Sequence, residues 1–277
     1  MKQKRRKAKE QGPKLLLVVS DLHCGSSVGV APYEYQDTHG NTIGVKGNKV
    51  QEWLLACWEE LMDSAMAYIG SRPFIFLING DATEGCHHGN AVQIVSATIE
   101  DHTNAAVELV KEIAADAHST IVIKGTECHT RNMEDELARK IGGVGDRAHE
   151  HYLFEIHGTL VNATHHIAAT SRCHLEGNGL SMAMHNALRA EARAGHRQSR
   201  VFLRGHRHTG GCVTDFDSAM VVTGGFQFLT RHGKKVVPDS IPRPSICVLD
   251  WTDSELDSVP AIKPFQRHAP QAQIQHF

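Results

Sequence analysis

The first apolar run of this 277-residue chain reads Leu15-Leu16-Leu17-Val18-Val19-Ser20-Asp21-Leu22-His23, and it ends directly at an Asp-x-His pair. Five consecutive apolar residues predict a strand that is covered on both faces, as in the centre of an α/β sheet. Asp21 and His23 are two residues apart, so in extended backbone both side chains point to the same side and can reach one cation. Because such pairs are also common in surface turns, this one is informative only together with other motifs.

Two more apolar runs follow at intervals that fit an α/β fold. They cover residues 74–78 and 121–123. Apolar residues with helical spacing separate the runs, at about residues 50–68 and again at residues 95–113. The order strand, helix, strand, helix, strand predicts parallel strands that are joined by right-handed crossovers.

The second half of the chain has a different pattern. Residues 152–156 and 159–163 flank His157-Gly158 and predict a tight hairpin. Further strands are predicted at residues 201–204, 212–216, 220–223 and 246–250, and one helix at about residues 180–194, after the Gly177-Asn178-Gly179 break. We expect these strands to form a second, mostly antiparallel sheet, which residues 225–277 complete.

Composition limits the classes of protein to consider. A formal net charge of −2 gives no overall attraction to nucleic acid or to an anionic membrane, although residues 1–10 contain six lysines and arginines. We expect residues 1–13 to be a disordered basic arm, either solvated or bound to phosphate, and residues 14–277 to be one domain. The five-residue apolar run is too short for a signal peptide or a membrane span, and the seven cysteines lack CxxC spacing. A cytoplasmic protein with reduced thiols and no membrane partner is therefore expected.

Four further clusters of Asp, Glu and His residues accompany the later apolar runs. They are Gly80-Asp81, Gly125-Thr126-Glu127-Cys128-His129, His165-His166 and Gly205-His206-Arg207-His208. Gly80 permits close backbone approach, so the Asp81 carboxylate can bridge two metal ions. Carboxylate and imidazole ligands that recur at strand ends are what a two-metal hydrolytic site needs when one sheet gathers its ligands.

The order of these motifs over residues 15–210 resembles that of the calcineurin-like metallophosphoesterase superfamily. The likeness is greatest to a phage and bacterial subset that has Gly-Thr-x-x-His where most members have Gly-Asn-His. The resemblance implies a four-layer α/β/β/α sandwich of two mixed sheets flanked by helices, which is the metallo-dependent phosphatase fold. It also implies two transition-metal ions at the strand ends, with Mn, Fe, Zn and Ni as the candidates.

The resemblance also assigns metal ligands position by position. One ion would be held by Asp21, His23, Asp81 and His208, and the other by Asp81, His165 and His206, with Asp81 bridging the pair. In related sequences with a paired histidine the first is usually the ligand, which favours His165 over His166. A strand that ends one residue earlier or later would reverse that choice.

The block from Gly125 to His129 departs from the usual pattern of the superfamily. Most members have an Asn ligand followed by a His that protonates the leaving group, and no Asn is present here. His129 is then the candidate general acid, while Glu127, or else Thr126, would replace the missing amide oxygen. A third carboxylate would lower the positive charge of the metal pair, so Glu127 as a ligand would favour singly charged phosphodiesters over doubly charged monoesters, or one ion would be trivalent iron.

The resemblance implies hydrolysis of phosphate esters by in-line attack of a metal-bridging hydroxide, with His129 as general acid and Asp81 as the bridging ligand. The substrate would be a phosphate ester, with a phosphodiester of nucleotide or nucleic-acid type favoured by the basic arm and the phage-like motif. Arg131 and Arg172 are either contacts for its phosphate or solvated surface arginines. Two alternatives remain open. One is a DNA exonuclease or endonuclease of the same superfamily. The other is a metal-binding scaffold that has lost turnover. The sequence gives no oligomeric state.

Overall fold

The computed structural model describes residues 12–86, 93–96, 98–130, 133–167, 176–236, 241 and 243–270. The strands are β1 (Leu15–Val19), β2 (Glu34–Gln36), β3 (Thr42–Gly44), β4 (Phe74–Asn79), β5 (Ser119–Ile123), β6 (Tyr152–Ile156), β7 (Thr159–Ala163), β8 (Val201–Arg204), β9 (Gly211–Asp215), β10 (Ser218–Val222), β11 (Ser245–Asp250) and β12 (Ala261–Gln266). The helices are α1 (Lys49–Ile69), α2 (Ile99–Asp116), α3 (Glu127–Thr130), α4 (Met133–Lys140), α5 (Glu176–Arg193) and α6 (Arg231–Val236), and a short 3₁₀ helix covers Val144–Asp146. Among the helices described here, none is long and apolar enough to cross a bilayer.

Two five-stranded sheets form the centre of the fold. The first has the order β12-β11-β1-β4-β5, and the second has the order β6-β7-β8-β10-β9. In the first sheet β1, β4 and β5 run parallel, while β11 and β12 are antiparallel to their neighbours. In the second sheet β7, β8 and β10 run parallel, and the edge strands β6 and β9 are antiparallel. Both sheets are therefore mixed.

Alternation along the strands produces four layers. In β1, Leu15 and Leu17 pack in one cluster with residues of α1 and α2, whereas Leu16 and Val18 pack between the two sheets. On the far side of the second sheet, Phe202 of β8 packs with apolar residues of α5. The predicted arrangement of two mixed sheets flanked by helices is confirmed.

The structure corrects several predicted details, most of them in the second half of the chain. Strand β11, expected in the second sheet, pairs antiparallel with β1, so the end of the chain completes the first sheet. The parallel pairs β7–β8 and β8–β10 also make the second sheet less antiparallel than predicted. Helix α5 begins before the predicted Gly177-Asn178-Gly179 break and contains it, and α2 begins at Ile99, after Val95. Residues 1–11 lie outside the described residues, so the basic arm and the single domain stay predictions.

Helix α1 is fixed at its start by a capping box that also connects it to the loop after β1. The Asn48 side chain accepts hydrogen bonds from the backbone N–H groups of Val50 and Gln51, and the Gln51 side chain accepts one from the Asn48 N–H. The same two side chains donate to the backbone oxygens of Ser27 and Ser26, at 2.7 and 3.1 Å. The cap therefore holds the helix against the segment that follows Asp21 and His23.

Candidate metal centre

The predicted motifs meet at one edge of the molecule, where strands of both sheets end. The loops after β1 and β4 are bonded to each other, because the Asp21 N–H donates to the Gly80 oxygen at 2.9 Å and the His23 N–H donates to the Asp81 oxygen at 3.0 Å. In the second sheet, the Gly205 N–H donates to the His165 oxygen at 2.8 Å. Backbone hydrogen bonds between loops thus set the positions of the side chains.

Most of these side chains do not come from extended backbone, contrary to the expectation for the Asp-x-His pair. Eight described residues other than glycine have positive φ, and five of them are predicted ligands: Asp21 (54°), His23 (49°), Asp81 (50°), His206 (72°) and His208 (57°). Asp and His adopt this left-handed region more readily than most residues, but at a cost of about 1 to 3 kcal/mol each. Such strain persists where the surrounding contacts enforce it and is concentrated at functional sites.

Two glycines of the motifs are required by close packing. A β-carbon at Gly125 would overlap the Asp81 carboxylate, and one at Gly205 would overlap the Ser20 hydroxyl. That hydroxyl donates a hydrogen bond to Asp21 Oδ2. The glycines of the Gly125 and Gly205 motifs therefore let neighbouring loops approach the carboxylates.

Asp21, His23 and His208 form the first group of potential ligands, and their ligand atoms all lie within 4.8 Å of one another. The His208 Nε2 atom lies 3.3 Å from Asp21 Oδ1 and 3.1 Å from His23 Nε2. His23 Nε2 lies 3.9 Å from Asp21 Oδ1. Three donor atoms thus face a common point, with two imidazole nitrogens directed at each other.

Asp81, His165 and His206 form the second group, again with ligand atoms within 4.8 Å. His165 Nε2 lies 3.0 Å from Asp81 Oδ2, and both side chains are buried, whereas His206 is exposed. Of the His165-His166 pair, the structure brings the first into this group. His166 is exposed, and its Nε2 atom lies 3.4 Å from the Thr126 hydroxyl.

The two carboxylates lie between the groups. Asp81 Oδ2, which contacts His165, is also 4.0 Å from His23 Nε2 of the first group. Asp21 Oδ1 is 3.8 Å from His165 Nε2 of the second group. A single carboxylate oxygen therefore approaches both groups, as the predicted bridging role of Asp81 requires.

The two buried imidazoles are oriented by hydrogen bonds at Nδ1. The His23 Nδ1–H donates to Glu84 Oε2 at 2.9 Å, and the His165 Nδ1–H donates to the Asn79 carbonyl oxygen at 2.7 Å. Both bonds leave Nε2 facing the carboxylates, the arrangement by which neighbouring acceptors orient metal-binding histidines. Glu84 is fully buried and also accepts from the Gln227 side chain.

Glu134 is a second buried carboxylate that supports the site. Its oxygens accept hydrogen bonds from the backbone N–H groups of Gly125, at 2.5 Å, and Ala82, at 3.2 Å. It thereby connects the loop of Asp81 with the loop of Thr126. Burial and the nearby charge of Asp81 raise the pKa of Glu134 to about 8.

The sequence interpretation missed Glu84 and Glu134, and the only signal available was the three-residue spacing between Asp81 and Glu84.

The structure does not bring Glu127 to the ligand groups. Its side chain is exposed at the first residue of α3, and among the described residues it belongs to neither ligand group. Thr126 lies there instead. Its N–H donates to Asp81 Oδ1 at 2.6 Å, and its hydroxyl lies 3.1 Å from Asp81 Oδ2 and 3.3 Å from His206 Nδ1. The placement favours Thr126, the less favoured of the two predicted replacements.

His129 lies beside the first group. Its Nδ1–H donates to the Glu84 backbone oxygen at 2.9 Å, and its ring meets the His23 ring edge-on at a centroid distance of 4.8 Å. Since the carbonyl can only accept, Nδ1 carries the proton of the neutral ring and Nε2 is the nitrogen that exchanges one. Arg131 and Arg172, the predicted phosphate contacts, lie outside the described residues.

The charges of the site depend on each other. Burial opposes ionisation of the two aspartates, but His165 holds the pKa values of Asp21 and Asp81 below their ordinary range, assisted by His208 and His23 respectively. Burial likewise opposes protonation of His23 and His165, but the adjacent carboxylates raise both pKa values to about 10. In the absence of a cation, the buried carboxylates are therefore balanced by protonated histidines.

Comparisons with known proteins give matches of low identity and low TM-score. The sequence matches no protein-family model and no curated protein. Among solved structures, an archaeal phosphodiesterase is 14% identical with a TM-score of 0.44, and the match covers 91% of this chain and 99% of that chain. A Streptococcus pneumoniae TIGR4 protein described as a predicted phosphoesterase is 15% identical with a TM-score of 0.36, covering 92% and 98%. Vps29 of Entamoeba histolytica complexed with Zn²⁺ is 12% identical with a TM-score of 0.40, covering 92% and 98%. Likeness at this level carries no inference about activity.

Proposed function

We propose that this protein is a metal-dependent phosphoesterase of the calcineurin-like superfamily, in its Gly-Thr-x-x-His subset, with a dinuclear centre at the edge shared by both sheets. One observation carries the proposal: two groups, each of one carboxylate and two imidazoles, lie side by side with the carboxylates between them. Paired cation sites that share a carboxylate are the arrangement used for displacement at phosphorus.

The donor atoms fit two transition-metal ions. Mixed imidazole and carboxylate ligands suit Mn, Fe, Zn or Ni better than Mg or Ca, which prefer oxygen alone. The two Nε2 atoms of His23 and His208 face each other at 3.1 Å beside Asp21 Oδ1, a contact that a shared cation stabilises. The Nδ1 bonds of His23 and His165 fix the tautomers that present Nε2 as ligand.

Each side chain then has a definite task. Asp21, His23 and His208 would hold one ion and Asp81, His165 and His206 would hold the second, with the Asp81 carboxylate lying close to both groups. The Thr126 hydroxyl orients the Asp81 carboxylate. Two divalent ions supply Lewis acidity toward the phosphate ester and a water of lowered pKa. His129 donates a proton from Nε2 to the departing alkoxide, a contribution of typically ~10² to 10⁴ in rate.

The substrate is a phosphate ester of nucleotide or nucleic-acid type. Glu127 is exposed and belongs to neither ligand group, so its charge gives no reason to prefer diesters over monoesters. Phosphate monoesters and phosphodiesters are therefore both candidate substrates. A basic segment supports the second candidate function, a DNA nuclease. Helix α6 contains Arg231, Lys234 and Lys235 and no acidic residue, and the Arg243 N–H that follows it donates to the His208 oxygen.

The test is hydrolysis by the full-length protein, stripped of metal and reconstituted with Mn²⁺, Fe²⁺, Zn²⁺ or Ni²⁺. The substrates are p-nitrophenyl phosphate, bis-p-nitrophenyl phosphate, a dinucleotide, and single- and double-stranded DNA. Asp81→Asn is expected to lose at least ~10³ in kcat, since it weakens the carboxylate that approaches both groups. Asp37→Asn, at a partly exposed aspartate of the turn between β2 and β3, is the matched control.

Metal-dependent turnover of any of these esters that requires Asp81 and not Asp37 supports the proposal. Stoichiometric binding of two ions with no turnover of any ester would instead identify a metal-binding scaffold. Turnover that survives Asp81→Asn at the wild-type rate would contradict the assigned centre. Salt-sensitive cleavage of DNA in preference to the small esters would select the nuclease.

A further inference from the structure

A cavity lies on the outer face of the second sheet, and none of the predicted metal ligands lines it. Helix α5 covers the side of this sheet formed by β8, β10 and β9, where Leu180 and Met184 pack with Phe202. The outer face of β6 and β7 is left beside the helix as a cavity of about 640 Å³. Leu153 and Leu160 on the sheet and Ala187 on the helix give it apolar walls. A volume of this size accommodates a small organic molecule.

Arg204, the last residue of β8, faces this cavity although its side chain is almost entirely buried, with 7% of the residue exposed. Its Nη1 group donates to the Asn162 oxygen at 3.0 Å, to Asn162 Oδ1 at 3.2 Å and to the Leu203 oxygen at 2.8 Å. Among the residues that the structure describes, none accepts a hydrogen bond from Nε or Nη2. Those atoms form the edge of the guanidinium that binds a carboxylate through two parallel bonds.

The charge of Arg204 has no paired carboxylate in the described part of the chain. Glu191 also lines the cavity, but its carboxylate is engaged by the Asn162 amide at 2.9 Å and by the Ser199 N–H and hydroxyl, each at 2.7 Å. The neutral Asn162 side chain thus lies between the two charges. Arg197, at the rim, is paired with Glu155 at 2.7 Å. The Nε and Nη2 groups of Arg204 therefore have no acceptor among the described residues and can bind an anion that enters the cavity.

We propose that this cavity binds a small organic acid with one carboxylate and an apolar body. The carboxylate pairs with the Nε and Nη2 edge of Arg204, and the body lies against Leu153, Leu160 and Ala187. A single negative charge fits better than a phosphate dianion, because the Glu191 carboxylate lines the same cavity and repels excess charge. The inference is independent of the proposed hydrolytic function, since the cavity includes none of the predicted metal ligands.

The test compares hexanoate with hexanamide, its neutral counterpart, and with inorganic phosphate, by calorimetry and by NMR of leucine methyl groups in the full chain. Hexanoate is expected to bind at one site, to shift the methyl signals of Leu153 and Leu160, and to bind at least ~10-fold more tightly than hexanamide or phosphate. Ala190→Trp places a large side chain in the cavity from α5, leaves residue 204 unchanged and is expected to weaken hexanoate binding at least ~10-fold. Ala192→Trp, exposed on the same helix but outside the cavity, is the matched control and should bind as the wild type does.

Arg204→Lys, which keeps the charge and removes the two-bond edge, is expected to weaken binding of hexanoate to that of hexanamide. If circular dichroism shows that Arg204→Lys does not fold, hexanoate binding to Ala190→Trp and Ala192→Trp tests the proposal without it. Equal binding of hexanoate and hexanamide, binding unaffected by Ala190→Trp, or no shift of the leucine methyl signals overturns the proposal. Hexanoate bound only at the metal centre would be detected as binding that Ala190→Trp does not affect.

Discussion

The clearest test of the site compares two adjacent residues, Thr126 and Glu127. Thr126→Val keeps the shape of the side chain and removes the hydroxyl that lies 3.1 Å from Asp81 Oδ2 and 3.3 Å from His206 Nδ1. Loss of a hydrogen bond to a charged group costs about 1.5 to 3 kcal/mol, which corresponds to roughly 10- to 150-fold in metal affinity. Glu127→Gln changes an exposed side chain outside both ligand groups, and surface substitutions stay within about 0.5 kcal/mol, or roughly twofold.

The assay is competition of each variant with a calibrated chelator for Mn²⁺ and Zn²⁺, with metal content measured after equilibrium dialysis. Thr126→Val is expected to lose affinity for one of the two ions, because the hydroxyl contacts Asp81 and His206 of the second group. Glu127→Gln should bind both ions as the wild type does. If Glu127→Gln instead abolishes one binding step and Thr126→Val leaves both intact, Glu127 is the ligand and the placement of Thr126 has no role in metal binding.

Three further predictions concern side chains around the ligands. Glu84→Gln removes the charged acceptor of the His23 Nδ1–H and should weaken metal binding about 10- to 100-fold, while Glu108→Gln on the surface of α2 has no effect in the same dialysis measurement. His129→Ala should lower kcat by roughly 10² to 10⁴ for an alkyl phosphate ester and far less for a p-nitrophenyl ester, whose leaving group needs no proton; equal losses for both esters would rule out a general acid. Without metal, the pKa values of His23 and His165 are raised from 6.5 to about 10. Protonation of these two residues therefore stabilises the folded protein, fully below pH 6.5 and progressively less as pH rises through about 10. The melting temperature of the chelated protein should therefore fall between pH 7 and 10, more than that of the metal-loaded protein, and a flat profile would contradict the charge balance.

The first sheet was predictable because its central strands are continuous apolar runs. The runs at residues 15–19, 74–78 and 121–123 all form strands, and the helical spacing between them forms α1 and α2. The position of β11 was not predictable in the same way. Its apolar run fits a central strand of either sheet, and its partner β1 lies at the other end of the sequence, so only tertiary packing decides the pairing.

The candidate ligands could be identified from the sequence because each belongs to a short motif after an apolar run. The supporting residues could not. Glu134 reaches the site from α4, and Glu84 reaches His23 across a distance in sequence that no local pattern encodes. The choice between Thr126 and Glu127 could not be made from the sequence for a local reason. The chain enters helix α3 at Glu127, which directs that side chain to solvent, whereas a continued strand would have kept it at the sheet edge.

Each ligand group draws on both sheets, and this determines how the site relates to stability. In the first group Asp21 and His23 follow β1 of the first sheet and His208 follows β8 of the second, while in the second group Asp81 follows β4 and His165 and His206 follow β7 and β8. Neither sheet alone can form either group. The geometry of the candidate ligands therefore depends on the apolar layer between the sheets, and a cation bound by them would stabilise that same packing by connecting the loops on its two sides. For this reason a loss of packing between the sheets should reduce metal affinity even where no ligand is changed.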